Sequence, residues 1–269
     1  MSYSFTDTHC HFDFPPFCGD EQASLQRAAE AGVQQIIVPT VTAAGFAPVL
    51  ALAQQYPALF AALGLHPLYV QQHQDHHLVE LSQALATQPT KLIAVGEIGL
   101  DLYMPDPCFA RQQTLLAAQL KLAKQYDLPV LLHSRRSHDQ LSMLLRRADL
   151  PRRGVVHGFA GSLAQAQTFL SLGYYIGVGG TITYPRAQKT RRVIAQLPLA
   201  SLLLETDAPD MPLAGYQGQA NRPERLREIF SALCQLRDEP AAEIAWQLQQ
   251  NVQVLFGLNK TSASLVSPC

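Results

Sequence analysis

Two histidines one residue apart, His9 and His11, follow the short run Phe5–Thr8 near the start of the chain. Side chains alternate faces along an extended segment, so both imidazoles point one way while Cys10 points the other. A neutral imidazole is the commonest protein ligand for zinc and related ions. The spacing alone is weak, because it recurs by chance. It gains force from ligand-type residues placed in the same manner further on: His66 in GLHP, Glu97 in VGEIGLD, His133 in VLLHSR, His157 in GVVH and Asp207 in LLLETD. Histidines and carboxylates converging from separate strands have the composition of a two-cation hydrolytic site. In such a site one carboxylate bridges ions about 3.5–4 Å apart, which clamp attacking and leaving oxygens and acidify a shared water. On this reading His9, His11 and Asp207 hold one ion, His133 and His157 the other, and Glu97 is the bridge.

The elements that must carry these residues are legible as short apolar runs. They are the opening run, Gln34–Pro39, Leu59–Leu65, Leu92–Gly96, Pro129–His133, Gly154–His157, Tyr174–Val178 and Leu202–Glu205. Between them lie stretches of helical period, such as Glu21–Ala31, Ala43–Gln55, Leu78–Ala86 and Arg111–Tyr126. Strand and helix in alternation imply βαβ units and a parallel sheet. Eight repeats favour an α/β fold closed as a (β/α)8 TIM barrel, whose sites lie at the C-terminal ends of the strands. The expectation is one hydrolase domain over residues 1–258, with 259–269 as a flexible tail poor in core-forming pattern. Strands two and seven end without a ligand-type residue.

Composition narrows the function classes. With 48% hydrophobic and 15% charged residues the 269-residue chain can bury a large core, and a net charge of −1 offers no global attraction to polyanions. Phosphate must therefore be gripped locally. The five cysteines show no C-x-x-C spacing, which argues against a disulfide framework and a thiolate zinc site. Neither a leader-type apolar segment nor a membrane-length run is present, so a soluble, cytoplasmic protein without membrane contact or an obligate protein partner is expected. Taken singly, each site residue has an ordinary explanation: Glu97 as an ion-pair partner, for example, or Asp207 as a helix N-cap. Six coincidences on one face do not. His73, His76, His77 and His138 fall in loop or helix-start contexts and receive no role. The glycines of GEIGLD and GVGG are read as serving tight strand–loop turns. Asp101 is left between contacting a metal-held water and tying down its own loop.

At these motifs the chain resembles the TatD family of metal-dependent deoxyribonucleases, among the amidohydrolase-like barrels. The matching stretches are Thr8–His11, Gly64–Pro67, Gly96–Asp101, His133–Arg135, HGFAGS at 157–162 and ETDAP at 205–209, with Asn221 and Asn251 also in pattern. The resemblance runs from about residue 6 to 257 and implies a TIM barrel, divalent cations, and removal of nucleotides from DNA ends with activity on single strands. His9, His11, Glu97, His133, His157 and Asp207 stand at the family's metal-binding positions. Departures occur at Gly158, Ala160, Asp210-Met211 and Arg222, beside the ligands, and bear on the substrate instead of the chemistry.

The expected activity is a metal-dependent deoxyribonuclease, an exonuclease in which a metal-bridging hydroxide attacks a phosphodiester. Two divalent cations (zinc, manganese or magnesium) are the expected cofactors, and single-stranded DNA or DNA ends the expected partner. Asp207 accepts the water's proton and, with Glu97, makes the catalytic pair. His66 and Arg135 bind or orient phosphate, and Glu205 supports the ligands from behind. One competing reading is a two-metal esterase, lactonase, amidase or phosphoesterase acting on a small molecule. Another is a metal-bearing barrel that binds nucleic acid without turnover.

Overall fold

The computed structural model describes residues 3–258; the tail expected at 259–269 lies outside the described residues. Parallel strands buried on both faces read as nearly continuous apolar runs, and each such run folds as a strand. They are β1 (Phe5–Asp7), β2 (Val33–Pro39), β3 (Leu59–Leu63), β4 (Leu92–Asp101), β5 (Val130–Arg135), β6 (Gly154–Val156), β7 (Tyr175–Val178) and β8 (Leu202–Leu204). They form one parallel sheet in chain order. Helices α1 (Glu21–Glu30), α2 (Phe46–Gln55), α3 (Asp75–Ala86), α4 (Phe109–Gln125), α5 (His138–Ala148), α6 (Leu163–Ser171) and α7 (Gln188–Gln196) connect successive strands. Helices α8 (Leu226–Cys234) and α9 (Ala241–Phe256) follow β8. None of the described helices is long and apolar enough to cross a membrane.

Hydrogen bonds between the two ends of the sheet bring it round into a nearly closed (β/α)8 barrel. Thr8 N–H donates to the Leu204 carbonyl at 3.0 Å, and Asp207 N–H to the His9 carbonyl at 2.8 Å. Cys10 bridges to Ala208 as a further parallel rung. Asp7, fully buried, fastens this seam: its carboxylate accepts from the Thr206 N–H, the Thr206 hydroxyl and the His9 N–H.

The barrel has two apolar layers. Ile37, Ala62, Ala94, Leu131, Val155 and Leu203 form one cluster with Val252, Leu255, Phe256 and Leu258. Leu131, Val155 and Leu203 each lie two residues before a site residue, so alternation puts them on the same inward face. They are the floor beneath the site, and the end of α9 packs into that floor. Alternate strand residues such as Ile36, Val38, Val95 and Leu132 join the larger core under the helices.

Two expectations change. β4 does not stop at Gly96 but runs on to Asp101, and its glycines are not turn residues. Gly99 lies against β5, where an added Cβ would meet the His133 carbonyl oxygen at 2.0 Å. Gly177 inside β7 is likewise a point of close approach, since a Cβ there would fall 2.4 Å from Glu205 Oε2. Both positions exclude a side chain because another group occupies its volume.

Candidate metal centre

Each inward residue at a strand end reaches one point above the apolar floor. Glu97 gets there through a bulge: between Val95↔Val130 and Ile98↔Leu132, β4 spends one residue more than β5. A bulge re-aims the side chains beside it, and Glu97, 1% exposed, stands at the centre of the cluster. Its two oxygens divide the histidines. Oε2 lies 3.1 Å from His9 Nε2 and 3.5 Å from His11 Nε2. Oε1 lies 2.7 Å from His157 Nε2, 3.0 Å from His133 Nδ1 and 2.9 Å from His66 Nε2. Asp207 Oδ1 sits on the Oε2 side, 3.6 Å from His9 and 3.8 Å from His11. It follows β8 in the left-handed region, at φ 58°, a conformation Asp tolerates better than most residues.

Hydrogen bonds behind the ring decide which nitrogen faces inward. Asp101 Oδ2 lies 2.9 Å from His133 Nε2 and accepts its proton, which leaves the Nδ1 lone pair turned toward Glu97. Asp101 is itself held, accepting from Tyr103 N–H and donating its own N–H to Gln112. Its role is therefore to orient His133. His66 differs from the others, because its Nδ1 accepts the Leu68 N–H at 3.0 Å, so its proton resides on Nε2 and is given to Glu97. Expected from the sequence to hold phosphate, His66 has both ring nitrogens engaged within the protein. Glu205 Oε1 accepts the Gly158 N–H and lies 3.8 Å from His157 Nδ1, with its carboxylate pressed against Gly177.

The electrostatics are those of a cation site. Burial pushes His9 down to about 3 and His66 down to about 4. Burial opposes protonation of His11 and His157 as well, but the adjacent Glu97 outweighs it and raises them to about 9 and about 10. Glu97 is held well below the carboxylate range: burial works against its charge, and the imidazoles around it prevail. Burial lifts Glu205 to about 8 and moves Asp207 upward. Five imidazoles thus crowd one carboxylate, which offers about four lone-pair positions. Hydrogen bonding cannot satisfy that set, whereas divalent cations, taking neutral imidazole and carboxylate together, can. Candidate ligand atoms of His9, His11 and Asp207 lie within 4.8 Å of one another, as do those of His9, Glu97 and His157.

The remaining histidines are used otherwise. His73 donates from Nε2 to the His66 carbonyl, His77 Nδ1 accepts the Gln74 N–H at the start of α3, and His138 packs edge-on against Phe159. His76, His77 and Glu80 form a surface trio on α3, but the cap consumes the His77 lone pair. Two lobes of one cleft open over the centre and share His133, His157, Asp207 and Asp210. An apolar lobe of about 170 Å3 is walled by Phe14, Val41, Leu68, Tyr69 and Pro209. A larger one of about 870 Å3 runs past Tyr103, Arg135, Arg136 and Lys189.

Sequence reasoning gathered every residue around Glu97 but left Asp101 between two roles, read Gly177 as a turn glycine and did not single out Asp7. The signal for Asp101 was present, since it shares alternation with Glu97 along one strand. For Asp7 it was also present, two residues before His9. For Gly177 there was none, because the need for glycine comes from Glu205 on the neighbouring strand.

Comparison with known proteins shows the family and the fold. Residues 6–257 match the family described as TatD related DNase. The chain is 67% identical to an uncharacterized metal-dependent hydrolase of Escherichia coli K12, YjjV, over 96% of this chain and all of the relative. It is 49% identical to a metal-dependent hydrolase of Haemophilus influenzae, covering 94% of this chain and 99% of that one. The crystal structure of YjjV superposes with a TM-score of 0.95 at 66% identity, over 96% of this chain and 100% of that one. A TatD family hydrolase from Entamoeba histolytica shares the fold, with a TM-score of 0.83 at 23% identity over 96% and 100% of the two chains. The chain belongs to the TatD family and is a metal-dependent hydrolase.

Proposed function

We propose that this hydrolase is a two-cation deoxyribonuclease that removes nucleotides from DNA ends. The observation that carries the reading is the division of Glu97. One oxygen faces His9 and His11 beside Asp207, and the other faces His133 and His157. A carboxylate placed between two such sets suits a bridge. The family's description as DNases supplies the substrate class.

When bound, the cations would supply Lewis acidity toward phosphate and lower the pKa of water between them. Hydrolysis joins the water oxygen to phosphorus, breaks the bond to the leaving sugar oxygen and leaves a proton on that oxygen. Asp207 has a side chain 18% exposed at the cleft floor, and takes the water's proton. Asp101 keeps His133 in the tautomer that presents Nδ1, while His66 steadies Glu97 by donation. Arg135, the last residue of β5, offers a planar fork of donors to the non-bridging oxygens.

The test is metal-dependent turnover of an end-labelled single-stranded oligonucleotide after chelation, with Mg2+, Mn2+ and Zn2+ restored separately. Stepwise shortening that disappears in His133→Ala and Asp207→Ala is the expected result. Two bound ions by elemental analysis without cleavage would transfer the site to small ester, amide or phosphate substrates. Binding of the oligonucleotide in chelator, with no turnover on adding metal, would make the barrel a binding protein.

A further inference from the structure

The larger lobe of the cleft carries a cluster of cations. The chain as a whole carries a net charge of −1, yet Arg135, Arg136 and Lys189 line this one lobe together. All three are exposed, and among the described residues none is paired with a carboxylate. Two of them also share one aromatic contact. The Arg135 guanidinium lies 3.9 Å from the Tyr103 ring centroid and that of Arg136 lies 4.2 Å from it. One aromatic ring thus contacts two cations, offsetting part of their mutual repulsion, at the strand end that presents His133. Tyr103 is 48% exposed. Of the acidic groups on the same lobe, Asp139 accepts from Gln165 and Asp210 stands at the junction of the lobes.

Volume and lining distinguish the opposite lobe. An apolar cavity of about 150 Å3 holds one benzene ring, so the lobe of about 170 Å3 beside Phe14, Leu68 and Tyr69 has room for about one base. The cationic lobe has about five times that volume and could hold several phosphate–sugar units. The centre around Glu97 lies where the two meet.

Resting on the nuclease reading above, we infer that Arg136, Lys189 and the Tyr103 platform are the specificity-determining residues for chain length. They bind the phosphates next to the scissile one, while the Phe14–Leu68–Tyr69 lobe takes the terminal base. Arg135, nearest His133, serves the scissile phosphate; Arg136 and Lys189 serve its neighbours along the strand. A dinucleotide places one base in the apolar lobe and its second nucleoside at the mouth of the cationic lobe, but it has no further phosphate to offer Arg136 and Lys189. A longer strand engages all three.

The experiment compares kcat/KM of the metal-loaded protein for a thymidine dinucleotide and a thymidine hexanucleotide across a salt series. For the unaltered protein the hexanucleotide is expected to be preferred by about tenfold or more, since its additional phosphate contacts add to its affinity. In Arg136→Ala/Lys189→Ala that preference collapses to within about threefold. The slope of log kcat/KM against log salt for the hexanucleotide also falls by about 1.4, from two phosphate contacts at about 0.7 each on a single strand. Tyr103→Ala reduces the same preference and Tyr103→Phe, which keeps the ring, retains it; melting temperatures of all variants certify folding. Equal kcat/KM for the two lengths, or a preference unchanged in the double variant, overturns the assignment while leaving the nuclease reading intact. Failure of the unaltered protein to cut either oligonucleotide with any metal removes both.

Discussion

Replacing Gly177 by alanine adds one carbon where Glu205 already lies. The new Cβ would meet Glu205 Oε2 at 2.4 Å and its Cδ and Oε1 at 2.7 Å. Glu205 is fully buried, so its carboxylate cannot swing into solvent. Overpacking of this kind costs about 1–3 kcal/mol. If the carboxylate yields, the Gly158 N–H loses its acceptor, but Gly158 is exposed and water can replace it at little cost. A loss of about 2 kcal/mol lowers the melting temperature by about 4–8 °C for a chain of this size. His157, whose Nδ1 faces Glu205, loses its support as well, so affinity for the ion on that side is expected to fall about tenfold or more. Scanning calorimetry and metal titration read the two effects. Coupling is the decisive part: Glu205→Ala removes the group that collides, so the double variant should be scarcely less stable than Glu205→Ala alone. The two changes would then be non-additive by at least about 1 kcal/mol. A Gly177→Ala melting temperature within about 1 °C of the unaltered protein, or strict additivity, would refute the reasoning.

Asp101→Asn leaves the shape of the site but permits the wrong His133 tautomer; affinity for one of two ions is expected to drop by about 10–100-fold in calorimetric Mn2+ titration, and equal loss at both would contradict the assignment. Glu97→Ala should abolish tight binding of both ions, and two ions retained by elemental analysis would end the bridging role. Asp7→Ala strips acceptors from the Thr206 N–H, the Thr206 hydroxyl and the His9 N–H. A loss of about 2–4 kcal/mol is expected in urea unfolding, from at least one buried donor left unsatisfied plus the cavity; a change under about 0.5 kcal/mol would show that other contacts hold the seam.

The sequence made the barrel and its candidate ligand residues legible for one reason. Period-two alternation places each candidate on the inward face as soon as the strand is recognised, and His133 and His157 needed nothing more. Glu97 was identified by its place after an apolar run, but the bulge that aims it depends on pairing between β4 and β5 and leaves no mark in either strand alone. The end of β4 was set too early because Gly96 and Gly99 look like punctuation. Their small size instead serves contacts with Leu131 and His133 across the strand pair. His66 shows a further limit. Its place in GLHP suggested substrate contact, and only the Leu68 N–H on Nδ1 shows where its proton resides.

The seam between β1 and β8 joins Asp7 to Thr206 across 199 positions of the chain. His9 and His11 leave the ribosome early, whereas Asp207, their companion on the Oε2 side of Glu97, comes long afterwards. A nascent or truncated chain therefore cannot assemble the proposed His9–His11–Asp207 set, however well its early strands have paired. On that proposal hydrolysis waits until the two ends of the sheet have met, so the order of synthesis itself would keep an unfinished molecule inert.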